Sequence, residues 1–399
     1  MKRLIVCLAV FSICLAGCSN INTESGSKQS EGSKYQNTST SGVWISFSEI
    51  NAMLESTAGF KAEFENVIEN CRSLKIEEIY IHIRAYCDSL FKSDYFPLIN
   101  EAKSYDYDVF EYIISACHNS GIKVHAWINP YRVLTSSSDK EKLSHESPAY
   151  KWLSDDNAEN DRNVILYDGI YLNPAENEVR ELVINGIREV LGKYEVDGIH
   201  FDDYFYPTED SRFDTVSYEK YKSETENPLS LADWRRANVN ALISGSYAAV
   251  KYYGEDIVFS VSPTASIEKN RNELYADVEA WIKSGCLDCI IPQLYFGFDY
   301  PDEQYRFDNL LDDWINLSNK NTAVELKIGL APYKIGTDSE ADKEEWNIAD
   351  DIIARQAEIC YKNGNVAGYV LFSYSSLVSP EELNSKQRGN LAELTNLYS

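Results

Sequence analysis

Two adjacent carboxylates, Asp202 and Asp203, end the segment Asp197–Asp203 (DGIHFDD), directly after a short apolar run. Two carboxyl groups roughly 5 to 9 Å apart can hydrolyse a glycosidic bond, one as the acid and the other as the nucleophile or base. Because neighbouring side chains on a strand point to opposite faces, Asp202 should share the face of His200, whereas Asp203 should face away or begin a loop. A second acid is therefore needed, and the candidates that follow predicted strand ends are Glu49, Asp88, Asp203 and Asp299.

Polar and aromatic residues on or just after the same strands are the predicted substrate contacts. They are Arg84, Asp88, His125, Asn129, Arg132, His200, Tyr204, Gln293 and Tyr295. Arg84 and Arg132 could bind a sugar that carries a carboxylate or could pair with Asp202 and its neighbours. Aromatic rings can stack on the apolar faces of sugars, but Tyr and Trp also pack ordinary cores, so we expect about half of this set to be structural. The set is Trp44, Trp127, Tyr131, Tyr204, Phe205, Tyr206, Tyr295 and Phe296.

Three histidines, His82, His125 and His200, share the inward face of successive predicted strands, with acids nearby. A metal site is conceivable there, since imidazole is a common ligand. However, the HxH, HxxH and HExxH spacings do not occur. Neutral histidines that donate hydrogen bonds to hydroxyl groups suit a sugar site as well, so we expect neither a metal nor another cofactor.

Eight short strand-like runs recur along the chain, each followed by a helical stretch. They are residues 43–47, 78–84, 122–129, 197–202, 257–262, 289–295, 327–332 and 368–373. This alternation predicts an α/β fold, a single (β/α)8 TIM barrel, with an open doubly wound sheet as the alternative. Apolar and polar residues alternate in several of these strands, as in Tyr80, His82 and Arg84 against Ile79, Ile81 and Ile83, which directs polar groups into the barrel. Barrel enzymes place their active sites at the carboxyl ends of the strands.

The helical stretches show a 3.6-residue apolar period. One apolar stripe runs from Val179 to Tyr194, with Asn173 and Pro174 as the predicted cap and first turn. Another stretch should end at Gly121, a residue suited to the left-handed conformation that closes many helices.

The amino-terminal residues predict an export signal. Lys2 and Arg3 precede the apolar run Leu4–Leu15, which is too short to span a bilayer, and the run ends in Leu15-Ala16-Gly17-Cys18. This is a lipobox, so we expect removal of residues 1–17 and lipidation of Cys18; the alternative is an ordinary secretory signal with a chance cysteine. Residues 18–41 are polar and predict a flexible tether, and residues 42–399 the barrel domain. The expected location is extracytoplasmic and lipid-anchored to the membrane, on the outer membrane if the cell has two.

The formal charge of −26 becomes −28 once Lys2 and Arg3 are removed. Such an excess of carboxylates disfavours nucleic acid and anionic lipid as partners. We expect a polysaccharide partner, anchoring through the lipid, and a monomer. The spacing of Cys286 and Cys289 leaves two interpretations open, free thiols or a local disulfide, and lacks the helix that a redox motif would require.

The chain resembles the glycosyl-hydrolase-like 10 family of bacterial proteins over nearly the whole predicted barrel. The resemblance depends on GVWISF (42–47), HAWINPYRV (125–133), YLNPAENEVRELVINGI (171–187), EVDGIHFDDYFYP (195–207), IIPQLYF (290–296) and the later APYKIG and GYVLFSYSS segments. It implies a TIM-barrel glycoside hydrolase that acts outside the cytoplasm on peptidoglycan glycan strands, including strands without stem peptides. The alternatives are a non-catalytic glycan-binding lipoprotein and a metal-dependent polysaccharide hydrolase or deacetylase.

The chain departs from the family pattern in two places. Where family members tend to read Gln-Val-Arg-Pro and then Gly-Asp, this chain has His82-Ile83-Arg84-Ala85 and then Cys87-Asp88. The strand-four motif is also similar to that of chitinase-type barrels, which ends in a glutamic acid. Tyr204 occupies about that place here, so the chitinase-type assignment of the acid does not carry over to this motif.

Overall fold

The computed structural model describes residues 40–337, 343–349, 351–378, 389 and 393–394. The predicted signal peptide, Cys18 and the tether as far as residue 39 lie outside the described residues. The first strand begins at Thr40, inside the predicted tether, because Thr40 and Ser41 pair with Gly368 and Tyr369 of the last strand. Within the described part of the chain, no helix is both long enough and apolar enough to cross a membrane.

Eight parallel strands close into a barrel, and three short strands form a separate antiparallel sheet. In chain order the strands are β1 Thr40–Ile45, β2 Glu78–Arg84, β3 Lys123–Ile128, β4 Arg132–Leu134, β5 Val164–Leu166, β6 Ile170–Leu172, β7 Gly198–Phe201, β8 Val258–Val261, β9 Cys289–Ile290, β10 Glu325–Leu330 and β11 Gly368–Leu371. Around the barrel the order is β1, β2, β3, β7, β8, β9, β10 and β11, which pairs with β1 again. The predicted (β/α)8 barrel is thus confirmed, with all eight predicted strands in their places.

Helices surround the barrel. They are α1 Phe47–Glu55, α2 Phe60–Ser73, α3 Val109–His118, α4 Pro148–Trp152, α5 Asn177–Lys193, α6 Thr215–Glu224, α7 Leu231–Tyr253, α8 Ile267–Asn272, α9 Val278–Ser284, α10 Phe307–Ser318, α11 Lys343–Ile348, α12 Ile352–Lys362 and α13 Ser375–Val378. Most of the longer helices bury one apolar stripe; α10, for example, buries Phe307, Leu310 and Trp314. These side chains join one continuous core with the outward-facing strand residues such as Ile79 and Ile81. Burial of each large apolar side chain contributes about 1.5–3 kcal/mol, so this layer holds the barrel closed.

The barrel interior is filled with aromatic and polar side chains. At the end where the strands begin, Glu78 and Lys327 form a buried ion pair of 2.5 Å, and the Tyr80 hydroxyl donates to Glu78 at 2.9 Å. Although burial raises the pKa of Glu78, the charge of Lys327 and then that of His125 bring it down to about 2. The pair therefore stays ionised and closes the lower end of the barrel.

The long connection from β3 to α5 carries the antiparallel sheet, in which β6 pairs with both β4 and β5. The predicted cap of α5 was wrong, because the helix begins at Asn177. The Asn173 amide instead donates to the Arg162 carbonyl at 2.8 Å and to the Ser217 hydroxyl at 2.9 Å, so it ties the connection to the loops around it.

Two smaller expectations concern Gly121 and the cysteines. α3 ends at His118, and Gly121 adopts the left-handed conformation, with φ of +72°, in the turn that follows. Cys286 and Cys289 are both free thiols, as are the other four described cysteines.

Candidate active site

Asp202 follows β7 and points into the mouth of the barrel, where four hydrogen bonds hold its carboxylate, one of them from the Tyr204 backbone N–H to Oδ1 at 3.4 Å. The Trp127 indole N–H donates to Oδ2 at 3.0 Å, and the Asn129 amide donates to both oxygens at 3.0 and 3.2 Å. The Asn129 side-chain oxygen, Oδ1, accepts hydrogen bonds from the backbone N–H groups of Tyr131 and Arg132, so the NH2 group of the same amide must face Asp202. Burial and the neighbouring charge of Asp203 raise the pKa of Asp202 to about 7, in spite of these donors. A carboxyl group with this pKa can donate a proton near neutral pH.

Asp203 lies in the loop after β7 and lines a cavity of about 440 Å³. We call this space the Asp203 cavity; its other lining residues include Arg132, Thr135, Tyr204, Tyr206 and Lys269. Burial raises the pKa of Asp203, while its own backbone N–H, the Gln293 side chain and the charges of Arg132 and Lys269 act in the opposite direction. Burial outweighs these groups, so the pKa of Asp203 is raised, although two cationic side chains act in favour of its anion.

Arg132 lies between two tyrosines at the mouth. Its guanidinium group is 4.8 Å from the centre of the Tyr86 ring and 4.4 Å from that of Tyr204, and it donates to the Tyr86 hydroxyl at 3.1 Å. The charge of Arg132 lowers the pKa of both Asp202 and Asp203. The guanidinium group donates its hydrogen bond to Tyr86 and acts on the aspartates only through its charge, so both functions predicted for Arg132 stay predictions.

Gln293 and Tyr295 contribute the β9 side of the mouth. The Gln293 amide donates to the Ser262 carbonyl at 2.9 Å, which fixes the side chain beside Asp203. Tyr295 stacks on Phe372 with ring centres 5.9 Å apart. Burial and then the charge of Asp203 raise the pKa of its hydroxyl, so Tyr295 remains a neutral hydrogen-bond donor. The structure thus gathers five predicted residues around Asp202 and Asp203, namely Asn129, Arg132, Tyr204, Gln293 and Tyr295.

His200 lies inside the barrel, where no part of its side chain is exposed. Its Nε2 accepts the Trp44 indole N–H at 3.1 Å, so Nδ1 carries the proton and donates to the Ser260 hydroxyl at 2.8 Å. Burial keeps its pKa well below the ordinary value. The predicted inward direction is correct, but the residue supports the wall of the site from within.

His125 is also inside the barrel and far from the mouth, because its ring stacks on Tyr80 with centres 4.4 Å apart, next to the Glu78–Lys327 pair. Burial is the main cause that lowers its pKa to about 4. The structure does not bring His125 to Asp202.

Arg84 is not in the site either, and its predicted inward direction is corrected by a bulge in β2. The register with β3 shifts between His82 and Arg84, which reverses the alternation at the end of the strand. The guanidinium group lies 4.3 Å from the Phe96 ring and against Gly186 of α5, where a methyl group on Gly186 would come within 2.5 Å of it. Arg84 therefore packs between the barrel and a helix.

The predicted second acids occupy four different environments. Glu49 accepts hydrogen bonds from the backbone and hydroxyl groups of Ser46, from the Ser373 hydroxyl and from the Ser375 backbone, so it joins the ends of β1 and β11. Asp299 is exposed on the surface. Asp88 lies in a second cavity, described below, and Asp203 is the candidate whose charge acts on Asp202.

Most of the predicted aromatic set is structural. Trp44, Trp127, Tyr131, Phe205 and Tyr206 are buried, whereas Tyr204 is 52% exposed and Tyr295 and Phe296 are partly exposed. Within the described residues, no group of three His, Cys, Asp or Glu side chains could hold a metal ion. His82, His125 and His200 each pack instead against an aromatic ring.

Comparison with known proteins identifies the family. The model of the family described as glycosyl hydrolase-like 10 matches residues 39–348. The chain belongs to this family. It is therefore a TIM-barrel glycoside hydrolase, and its substrate class is polysaccharide.

Curated relatives of this family member carry the same general name. Glycosyl hydrolase YngK of Bacillus subtilis (strain 168) is 29% identical over 90% of this chain and 71% of its own length. Glycosyl hydrolase DigH of Escherichia coli (strain K12) is 31% identical over 69% of this chain and 65% of its own length.

Solved structures show the same fold at low identity. The glycoside hydrolase domain of PgaB (BpsB) from Bordetella bronchiseptica is 12% identical with a TM-score of 0.60, over 90% of this chain and 99% of that domain. The α-L-fucosidase isoenzyme 2 of Paenibacillus thiaminolyticus, also 12% identical, has a TM-score of 0.54 over 90% of this chain and 49% of that structure.

Sequence reasoning did not single out Tyr86, Thr135 or Lys269. Tyr86 comes just after barrel strand β2, and Thr135 follows β4 within the long connection after barrel strand β3. Loops after barrel strands are where barrel enzymes place active-site residues. Lys269 belongs to the short helix α8 and no pattern marks it.

Proposed function

We propose that this glycoside hydrolase cleaves glycosidic bonds in the glycan strands of peptidoglycan, with Asp202 and Asp203 as its catalytic carboxyl groups. The observation that carries the proposal is the adjacent pair of carboxyls at the mouth of the barrel, one with a pKa of about 7 and the other lining a cavity with Arg132 and Tyr204. Two titratable groups whose environments differ in this way are typical of an acid and a base.

In the proposed reaction Asp202 is the general acid. It donates its proton to the glycosidic oxygen as the bond to the anomeric carbon breaks, and the sugar ring gains positive charge. In its ionised form, which the charges of Arg132 and Lys269 favour, Asp203 stabilises that charge and assists the nucleophile. If Asp203 removes a proton from water, the first product has the inverted anomeric configuration; if it attacks the anomeric carbon itself, the configuration is retained. Proton NMR of the first product formed distinguishes the two courses.

Peptidoglycan is supported by three features of the site and the chain. Arg132 at the mouth can pair with the carboxylate of a lactyl-substituted sugar, since a guanidinium group binds carboxylates well. Tyr204 offers an exposed ring against which a sugar face can stack. The predicted export signal would place the enzyme beside the cell wall.

The test is the release of new reducing ends from peptidoglycan without stem peptides, with intact peptidoglycan and chitin oligosaccharides in parallel. We expect release by the wild-type protein and loss of at least about a hundredfold in Asp202→Asn. Asp299→Asn is the matched control, because it removes an exposed carboxylate outside the site. Binding to insoluble peptidoglycan without new reducing ends would identify a glycan-binding protein instead. Activity abolished by chelators would indicate a metal-dependent hydrolase or deacetylase.

We further propose that the mature protein begins at a lipidated Cys18 and is held at the extracytoplasmic face of the membrane as a monomer. Incorporation of labelled palmitate into the wild type but not into Cys18→Ala, followed by fractionation of cells, tests the anchor. Sedimentation of the protein without its lipid tests the monomer. Label in Cys18→Ala would refute the assignment of the lipid site.

A further inference from the structure

A second cavity of about 680 Å³ lies next to the site, between α1 and the loops that follow β2 and β4. We call it the Asp88 cavity; its lining residues include Phe47, His82, Tyr86, Asp88, Thr135 and Lys142. Both this cavity and the smaller Asp203 cavity fall in the range of roughly 300–1,000 Å³ that is usual for ligand sites.

The two cavities adjoin. Thr135 lines both of them, and Arg132 contacts Tyr86 of the Asp88 cavity and Tyr204 of the Asp203 cavity. The boundary between the cavities is therefore formed by the side chain of Arg132, the first residue of the short strand β4, and by the exposed Thr135, which follows that strand. A chain of sugars that passes over Arg132 can enter both.

The Asp88 cavity is lined by polar groups, His82 and Asp88, that a sugar could hydrogen-bond. His82 is 4% exposed, and neither of its ring nitrogens has a hydrogen-bond partner. Buried polar atoms in this condition cost free energy that a bound hydroxyl or amide group would recover. Burial is the main cause that raises the pKa of Asp88 to about 6, so at neutral pH its main form is the carboxylate, which accepts hydrogen bonds from hydroxyls.

His82 also connects this cavity to the acid. Its ring stacks on Trp127 with centres 3.8 Å apart, and the same indole donates to Asp202. The carboxyl pair thus contacts both cavities: Asp203 lines one directly, and Asp202 reaches the other through Trp127 and His82.

We propose that the two cavities are the two halves of one glycan groove, and that His82 and Asp88 bind sugars of the same strand on the far side of Arg132 from Asp203. The inference rests on the proposed function, because it takes Asp202 and Asp203 as the point of cleavage. The ligand class is a chain of pyranose sugars with free hydroxyl and amide groups. Oligosaccharides long enough to fill both halves are then cleaved more efficiently than shorter ones.

Thr135→Trp tests the groove, since an indole at this exposed position would obstruct the boundary without disturbing the core. Thr135→Ser is its matched control. The substrates are peptide-free peptidoglycan oligosaccharides of increasing length, and kcat/KM is measured for each. We expect wild type and Thr135→Ser to gain about tenfold between the shortest and longest substrates cleaved, and Thr135→Trp to lose that gain.

His82→Phe provides a second test, because it retains a ring against Trp127 while it removes both nitrogens. It should raise KM for the long substrates and leave the short ones unchanged, whereas His118→Ala, a histidine change outside both cavities, should alter neither. If Thr135→Trp and His82→Phe cleave every length as the wild type does, the groove is refuted and the proposed function stands.

If the wild type releases no reducing ends, the proposed function fails, and binding decides the groove. Calorimetry with the same oligosaccharides should then show an affinity that increases with length and that Thr135→Trp removes. Affinity independent of length would overturn the inference.

Discussion

Trp127→Phe should move the alkaline limit of activity to higher pH. The Trp127 indole N–H donates to Oδ2 of Asp202 at 3.0 Å, and a donor of this kind stabilises the ionised carboxylate. Phe keeps an aromatic ring for His82 to stack on but donates no hydrogen bond. Without the donor the ionised form is less stable, so the pKa of Asp202, about 7 in the wild type, should rise.

The size of the shift follows from the strength of the bond. A hydrogen bond to a charged group contributes roughly 1.5–3 kcal/mol, and part of this is kept when the carboxyl is protonated. Since one pKa unit corresponds to about 1.4 kcal/mol, the loss should raise the pKa by about one unit. The Asn129 amide still donates to both oxygens, which limits the change.

The assay is the pH profile of kcat/KM on a peptide-free oligosaccharide. The maximum rate should fall, while the pH at which activity is half lost on the alkaline side should rise. Trp44→Phe is the matched control, because Trp44 is an equally buried indole in the same barrel but donates to His200. An alkaline limit that stays in place or falls in Trp127→Phe, or that rises as much in Trp44→Phe, would refute the acid role of Asp202. Carbon NMR titration of labelled aspartate, assigned with Asp202→Asn, gives the same pKa without turnover.

Three further predictions concern stability. The pKa of Asp202 rises from 3.8 to about 7 on folding, so the contribution of Asp202 to the free energy of unfolding falls by roughly 4 kcal/mol as the pH rises between these values. Because Asn does not ionise, Asp202→Asn lacks this loss, and its Tm relative to wild type should increase from pH 5 to pH 8 in thermal unfolding. Glu49→Gln should lose about 1–3 kcal/mol in denaturant unfolding, because an amide cannot accept all the bonds that Glu49 accepts, but should keep kcat; a hundredfold loss of kcat would make Glu49 a catalytic acid. Arg84→Met should lower Tm with KM unchanged, and a raised KM in steady-state kinetics would return Arg84 to the substrate site.

The barrel could be predicted because its signal is repeated. Eight strands bury their outward faces under helices, several of them carry the same alternation, and errors at single ends do not change the count. The alternation also placed His82, Trp127 and His200 inside the barrel. The same rule failed at Arg84, since after the register shift in β2 its side chain lies against Phe96 and Gly186, residues that are distant in sequence.

The second acid could not be chosen from the sequence, because the candidates follow strand ends that look alike. What distinguishes them is the set of donors and charges that loops bring to each one. Glu49 accepts hydrogen bonds from Ser46, which follows the first strand, and from Ser373, which follows the last strand. Asp203 lies beside the Gln293 side chain and the charges of Arg132 and Lys269. None of these partners is local, so no window of sequence around the acids contains the answer.

The end of β7 explains how two neighbouring carboxyls can serve one site. Ile199 and Phe201 face the helices, and His200 and Asp202 face the interior, as strand alternation requires. If the strand continued, Asp203 would turn toward the helices. Instead β7 ends at Phe201, and the Phe205 backbone N–H donates to the Asp203 carbonyl at 3.0 Å, so the chain turns at once and Asp203 lines the Asp203 cavity. A single residue of additional strand would therefore leave Asp202 without its partner, which makes the position of this strand end a requirement of the proposed chemistry.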